Sequence, residues 1–465
     1  MGRFDQGSGA RCRRGMRGRA SLAFGAALVV AGLVTATGGA ISAATPARSS
    51  QNQPALTDPT AGHAYRHGAV PLRTSSAALH STAGPRTGTT RHGRAPAGTV
   101  KGPVSSDGGT VVTGSPKVFL VFWGSRWGTQ GTGAGGYQVF SGDPHGLAQN
   151  LQALFKGLGT DNEPWSAIVA QYCQGVAVGT KTCPLSPSSG HVAYPSSTVL
   201  AGVWEDISAN LAAATGTQIA QEAANAAVHF ANPPGAQYVI VSPTGTDPDQ
   251  WLDPNFGYCA YHDNTGDPSI GAVSGPNVPY TNMPYVPDVG AECSSFTNPG
   301  ALDGADETVT HEYAEVLTDP FPPSGWTDIH GNEVADKCEN LVGGGPGGST
   351  YVPLATGTFA MQGIWANDSG KRGGCENAHA LILTMSPGKQ KGTTGTPVAL
   401  QISALDLRGQ TLHYAATGLP AGVGINPATG LLAGTPLAHG RSDTTVTVTD
   451  SSASAAVGFV WTIRR

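Results

Sequence analysis

The sequence predicts an α/β domain followed by a small all-β sandwich. Two observations carry this. The middle of the chain alternates strand and helix patterns, and the last eighty or so residues show period-two apolar runs broken by Gly and Pro turns. A third concerns stability: every cysteine beyond the N-terminus falls between these landmarks, in the first of the two domains.

Each element has its own reason. Lys117 to Trp123, K-V-F-L-V-F-W, is an unbroken β-branched and aromatic run suited to a strand buried on both faces. Asp143 and Pro144 read as an N-cap and a first helical position. Leu147, Leu151, Leu154, Phe155 and Leu158 follow at helical spacing, and Gly159 ends the helix. Trp165 to Tyr172 is a second, short helix candidate. Thr217 to Phe230 is a third, with Ile219, Ala223, Ala226, Ala227 and Phe230 on one side. Tyr238 to Val241 is a buried strand after the turn Pro233-Pro234-Gly235. From Asp247 to Cys293 the chain is loop-rich and aromatic. Tyr280 to Val286 reads there either as an edge strand, a place for an extended peptide to dock, or as a packed, disulfide-pinned loop. His262 in this stretch is a candidate ligand or transition-state donor, with a structural role expected instead.

Only 12% of the 465 residues are charged, and the net charge is −5. No basic face can be assembled, which excludes a nucleic-acid partner. Arg11, Arg13, Arg14, Arg17 and Arg19 precede the uncharged apolar run Ser21 to Val34, and small residues follow at Ala40 to Ala44. Residues 1–44 therefore read as a secretory signal, leaving no membrane span in the mature chain. Residues 45–105 lack large apolar side chains and read as a disordered linker or pro-segment, with His63, His67, His80 and His92 solvated. The α/β domain takes residues 106–385 and the sandwich 386–465. Six cysteines remain after the signal. Their order suggests Cys173–Cys183, Cys259–Cys293 and Cys338–Cys375, formed in an oxidising, extracellular compartment.

Chemistry concentrates in Thr308 to Glu315, T-V-T-H-E-Y-A-E. His311 and Glu315 are four residues apart, so a helix presents both on one face. An imidazole and a carboxylate placed this way can hold zinc, and Glu312 beside them is placed as general base. The region starts near Asp303 or Asp306 and ends by Asp319-Pro320. Gly331 to Glu339, G-N-E-V-A-D-K-C-E, supplies the third ligand. Glu333 and Asp336 both qualify, with a slight preference for Glu333 as ligand and the other as its outer partner.

H-E-Y-A-E-V-L-T-D-P followed by G-N-E-V-A-D-K-C resembles a group of secreted bacterial zincin-type proteins, and is distantly similar to the plant exordium, or phosphate-induced, family. The resemblance spans roughly residues 117 to 377. It implies a zincin-like mixed sheet with an active-site helix, His311 and Glu315 as metal ligands, and Glu312 as base. The plant proteins lack the metal-binding histidine, so scaffold and chemistry can be separate. Gly418 to Pro436, G-L-P-A-G-V-G-I-N-P-A-T-G-L-L-A-G-T-P, resembles the immunoglobulin-like, cadherin-like module of bacterial surface and secreted proteins. Asp406 and Asp450 are its candidate calcium ligands.

The function expected from these readings is a secreted zinc metallopeptidase acting on extracellular protein or peptide. The alternative is a non-catalytic protein that binds peptide or cell-wall glycan on an exordium-like scaffold.

Overall fold

Along Lys117–Trp123 (β1), alternate side chains enter two different cores. Val118, Leu120 and Phe122 join one cluster; Phe119, Val121 and Trp123 join the other. A strand that feeds both faces must be covered on both, which explains its unbroken apolar run. The computed structural model describes residues 63–73, 102–208, 212–339, 341–345 and 347–465. The predicted signal segment lies outside them, as do His80 and His92.

β1 belongs to a five-stranded mixed sheet with Leu200–Asp206 (β2), Ala236–Val241 (β3), Tyr261–Asn264 (β4) and Pro279–Met283 (β5), in the order β2-β1-β3-β5-β4. β1 runs parallel to β2 and β3, and β3 parallel to β5. Only β4, at the edge, is antiparallel. Leu147–Gly157 (α1) and Asp303–Thr318 (α3) pack on one face. Gly216–His229 (α2) packs on the other through Ile219, Ala220, Ala223, Ala226 and Ala227.

Several elements differ from expectation. α1 begins at Leu147, because the Asp143 carboxylate reaches forward to the N–H groups of Leu147 and Ala148 at 3.0 and 2.8 Å. Gly146 makes the entry turn at φ 73°. Trp165 to Tyr172 is not a helix but turns with a short 3₁₀ piece, Val169–Gln171. The stretch from Tyr280 is not the sheet edge, since β5 has a neighbour on each side. The edge on that side is Tyr-His-Asp-Asn, which carries no apolar alternation to announce it. For α2 the expectation is met within a residue. Thr215 and Gln218 cap it reciprocally, with Thr215 Oγ accepting from the Gln218 N–H at 3.3 Å.

Glu222 on α2 is 2% exposed, and its Oε1 has no hydrogen-bond partner among the described residues. Burial pushes its carboxyl up to about 8. The folded state therefore holds a proton that the unfolded chain releases near pH 4.5, and stability falls as pH rises from there through about 8. Glu222→Gln is expected to raise the melting temperature at pH 9 and to change it little at pH 4. Thermal melts at the two pH values check this.

All three expected disulfides are present: Cys173–Cys183, Cys259–Cys293 and Cys338–Cys375. The second ties the entry to β4 to the turn before α3. The third ties the segment after Gly331 to Gly374–Glu376. Among the described residues, no helix is long and apolar enough to cross a membrane.

The C-terminal module packs a four-stranded sheet (Gln390–Thr393, Ser454–Arg464, Gly440–Thr449, His413–Thr417) on a three-stranded one (Val398–Gln401, Leu431–Gly434, Val423–Ile425). Val446, Val448, Val457, Phe459, Trp461 and Ile463 alternate inward to meet Ile402 and Leu432. This is the predicted sandwich.

Candidate metal centre

α3 is an unusual helix, because every residue from Gly304 to Thr318 is buried. Asp303 and Asp306 occupy its first turn, where the helix dipole favours acids, and it stops before Asp319-Pro320. Ala305, Val309, Tyr313, Ala314 and Leu317 pack into the core. The remaining positions bury polar groups, which need partners. Glu307 obtains them from the N–H of Ser295 at 3.0 Å and from the hydroxyls of Ser294, Ser295 and Ser349.

His311 and Glu315 meet one turn apart, Nε2 to Oε2 3.1 Å. The turn after Gly331 delivers the next group. The N–H groups of Ala335 and Asp336 donate to Glu315 Oε1 at 3.1 and 2.9 Å, locking that carboxylate so that Oε2 faces His311. Asp336 Oδ2 accepts from the Glu333 N–H at 3.0 Å, and Oδ1 lies 3.5 Å from His311 Nε2. On the other side of the ring, Gln362 Oε1 faces His311 Nδ1 at 3.1 Å, while its amide group donates to Ala335 O. An amide oxygen only accepts. Nδ1 therefore carries a proton, and Nε2 is the nitrogen turned toward the carboxylates.

β4 contributes His262. Its Nδ1 is 3.1 Å from Glu312 Oε2 and 3.6 Å from Glu315 Oε2; its Nε2 is 3.5 Å from Glu333 Oε2. The predicted set His311, Glu312, Glu315, Glu333 and Asp336 thus does converge, but on two imidazoles rather than one. Asp336 stands at His311, and Glu333 stands at His262.

The electrostatics are those of crowded acids. Burial, then Asp336, raises the Glu315 carboxyl. Burial, then Glu315, Asp319, Asp336 and Glu312, holds Glu333 well above the usual range. Burial opposes a charge on His311, but Glu315, Asp336 and Glu312 more than reverse it, and its pKa stands well above 6.5. His262 is held well below by burial and then by His67 and His311. Such a cluster crowds acids around few cations. His311 Nε2 and Glu315 Oε2 are also buried without hydrogen-bond partners among the described residues. Together with a carboxylate oxygen of Asp336 they lie within 4.8 Å of one another. One nitrogen and two oxygens at this spacing fit a divalent cation.

Sequence reasoning underrated His262, which lacks any spaced partner in its own stretch, and missed Gln362, which lies 51 residues from His311. It also took His67 as solvated. The residue instead bridges to His262 in the backbone, and its ring lies 3.6 Å from Asp267. In the C-terminal module Asp406 and Asp450 do come together, with the Arg408 guanidinium against both.

A family described as a Putative Ig domain, He_PIG, matches residues 380–464. No curated protein matches the chain. Among solved structures, human protocadherin-24 EC1-2 shares 17% identity over 19% of this chain and 46% of its own, with a TM-score of 0.17. Drosophila N-cadherin EC1-4 shares 13% over 24% and 36%, at 0.17. A Bacteroides fragilis chain described as a putative alpha-galactosidase shares 21% over 18% and 17%, at 0.17. The present chain spans less than half the length of each. With the strand pairing above, the family match establishes that residues 380–464 form an immunoglobulin-like module.

Proposed function

We propose that the α/β body is a secreted zinc-dependent metallopeptidase of zincin type on an exordium-like scaffold. One observation carries the reading: His311 Nε2, Glu315 Oε2 and Asp336 Oδ1 converge, with Glu312 beside them and held by His262. His311, Glu315 and Asp336 would hold the metal. Zinc held by three protein ligands supplies a water made acidic, with a pKa of about 7. Glu312 takes the proton of the attacking water and returns it to the leaving amine. His262 orients the Glu312 carboxylate. Gln362 fixes the His311 ring, and the two backbone N–H groups fix Glu315. The arginine-rich, apolar N-terminus and three disulfides support export, and the substrate is an extracellular protein or peptide.

Metal analysis of the purified protein tests this. One zinc per chain is expected, and His311→Ala should lose it. A native chain without transition metal would remove the reading.

One observation favours a second reading, an extracellular glycan- or peptide-binding protein with a structural ion. His262, His311, Glu312 and Glu315 are all 0% exposed, so nothing reaches the cluster in the chain as folded. Casein hydrolysis by a zinc-loaded chain whose cluster has been opened to solvent separates the two.

A further inference from the structure

The edge strand β4 is already paired. The stretch from Gly257 to His262 exchanges backbone hydrogen bonds with His67 to Leu72. Val70 N–H donates to Ala260 O at 3.1 Å, Cys259 N–H to Val70 O at 2.6 Å, His262 N–H to His67 O at 3.1 Å, and Leu72 N–H to Gly257 O at 3.4 Å. His67 opposes His262 and Pro71 opposes Tyr258, both antiparallel. An extended segment adding to a free sheet edge is a standard mode of peptide recognition.

This segment lies directly over the acidic cluster. A Cβ placed on Gly68 would sit 2.0 Å from Glu315 Oε2 and 2.9 Å from His262 Nδ1, so only glycine fits there, at φ 58°. Two residues earlier, Arg66 is 1% exposed. Its Nε donates to Asp249 Oδ2 at 3.0 Å, and its guanidinium lies over the Tyr258 ring, 4.7 Å from the centroid. At the far end, Arg73 donates to Ser294 O at 2.9 Å.

From this we infer that residues 63–73 occupy the peptide-docking groove of the α/β body, and that the groove takes an extended peptide with an arginine two positions before a glycine. The backbone bonds supply the register. Asp249 and Tyr258 read the arginine, and the absence of a side chain at the glycine brings the main chain onto the metal-ligand cluster. The same contact explains why that cluster is sealed: the chain holds its own strand where another would bind. The consequence for activity rests on the peptidase reading, namely that the chain is latent until this segment leaves the edge.

A fluorescent peptide with the sequence of residues 63–73 tests the assignment by anisotropy, on zinc-loaded full-length chains. The tethered segment competes at an effective concentration of the order of millimolar, so the wild type is expected to bind the peptide weakly. Arg66→Ala removes the anchor. Because it leaves Asp249 buried without its cation, Val70→Pro serves as a second variant that removes the bond to Ala260 and keeps the Arg66–Asp249 pair. Either chain, if it melts cooperatively, is expected to bind the peptide about a hundredfold more tightly than wild type. The Gly68→Val peptide should not bind. Equal binding by wild type and variants would overturn the assignment, as would no binding by a folded variant. Peptide binding by the variants without casein hydrolysis would uphold the groove and remove the peptidase reading. Binding with increased hydrolysis would uphold both.

Discussion

Glu312→Gln, introduced into the Val70→Pro chain so that the groove is open, is expected to lower casein hydrolysis by roughly 10²–10⁴-fold, the usual worth of a positioned general base. Zinc content should not change. Glutamine keeps the shape of glutamate, and the three groups assigned to the metal, His311, Glu315 and Asp336, are untouched. Its amide still faces His262, so the fold should persist with the same melting behaviour. What the substitution removes is the capacity to accept a proton. Loss of activity together with loss of zinc would instead place Glu312 among the ligands. Unchanged activity would remove it from the mechanism.

The second large effect separates two acids that sequence could not. Asp336→Ala is expected to lose zinc in competition with a chelator. Glu333→Gln is expected to lose at most the roughly 10–100-fold that an outer partner is worth. The reason is placement. Asp336 Oδ1 is 3.5 Å from His311 Nε2, and the Asp336 N–H holds Glu315, whereas Glu333 lies 3.5 Å from the other imidazole, His262. The slight preference for Glu333 has no local basis, since nothing in G-N-E-V-A-D-K-C distinguishes the two side chains. Equal zinc loss in both variants would mean that the ion sits between the two imidazoles rather than at His311.

Much of the site was legible because it is local. His311, Glu312 and Glu315 lie within two turns of one helix, and helical geometry alone brings the first and third together. The extent of α2 and the stop at Asp319-Pro320 are local in the same sense. The cysteine pairing followed because each cysteine joins its neighbour along the chain. Elements that failed are those whose identity comes from partners. β4 is a strand because Thr281 and Asn282 lie beside it, and not because Tyr-His-Asp-Asn favours one. Val169–Gln171 is a single 3₁₀ turn although its residues are apolar enough for a longer helix.

By itself, the sequence determined the strand that feeds two cores, the helix bearing the imidazole–carboxylate pair, the disulfide framework and the C-terminal sandwich. All depend on periodicity or spacing within a few turns of chain, or on the order of the cysteines. Only the tertiary structure decided which acid faces which imidazole, brought Gln362 to the back of His311, and laid Gly68 over Glu315. Those contacts join residues from about 20 to nearly 250 positions apart. Their geometry is set by how sheet, helix and segment stack, and no local pattern encodes it.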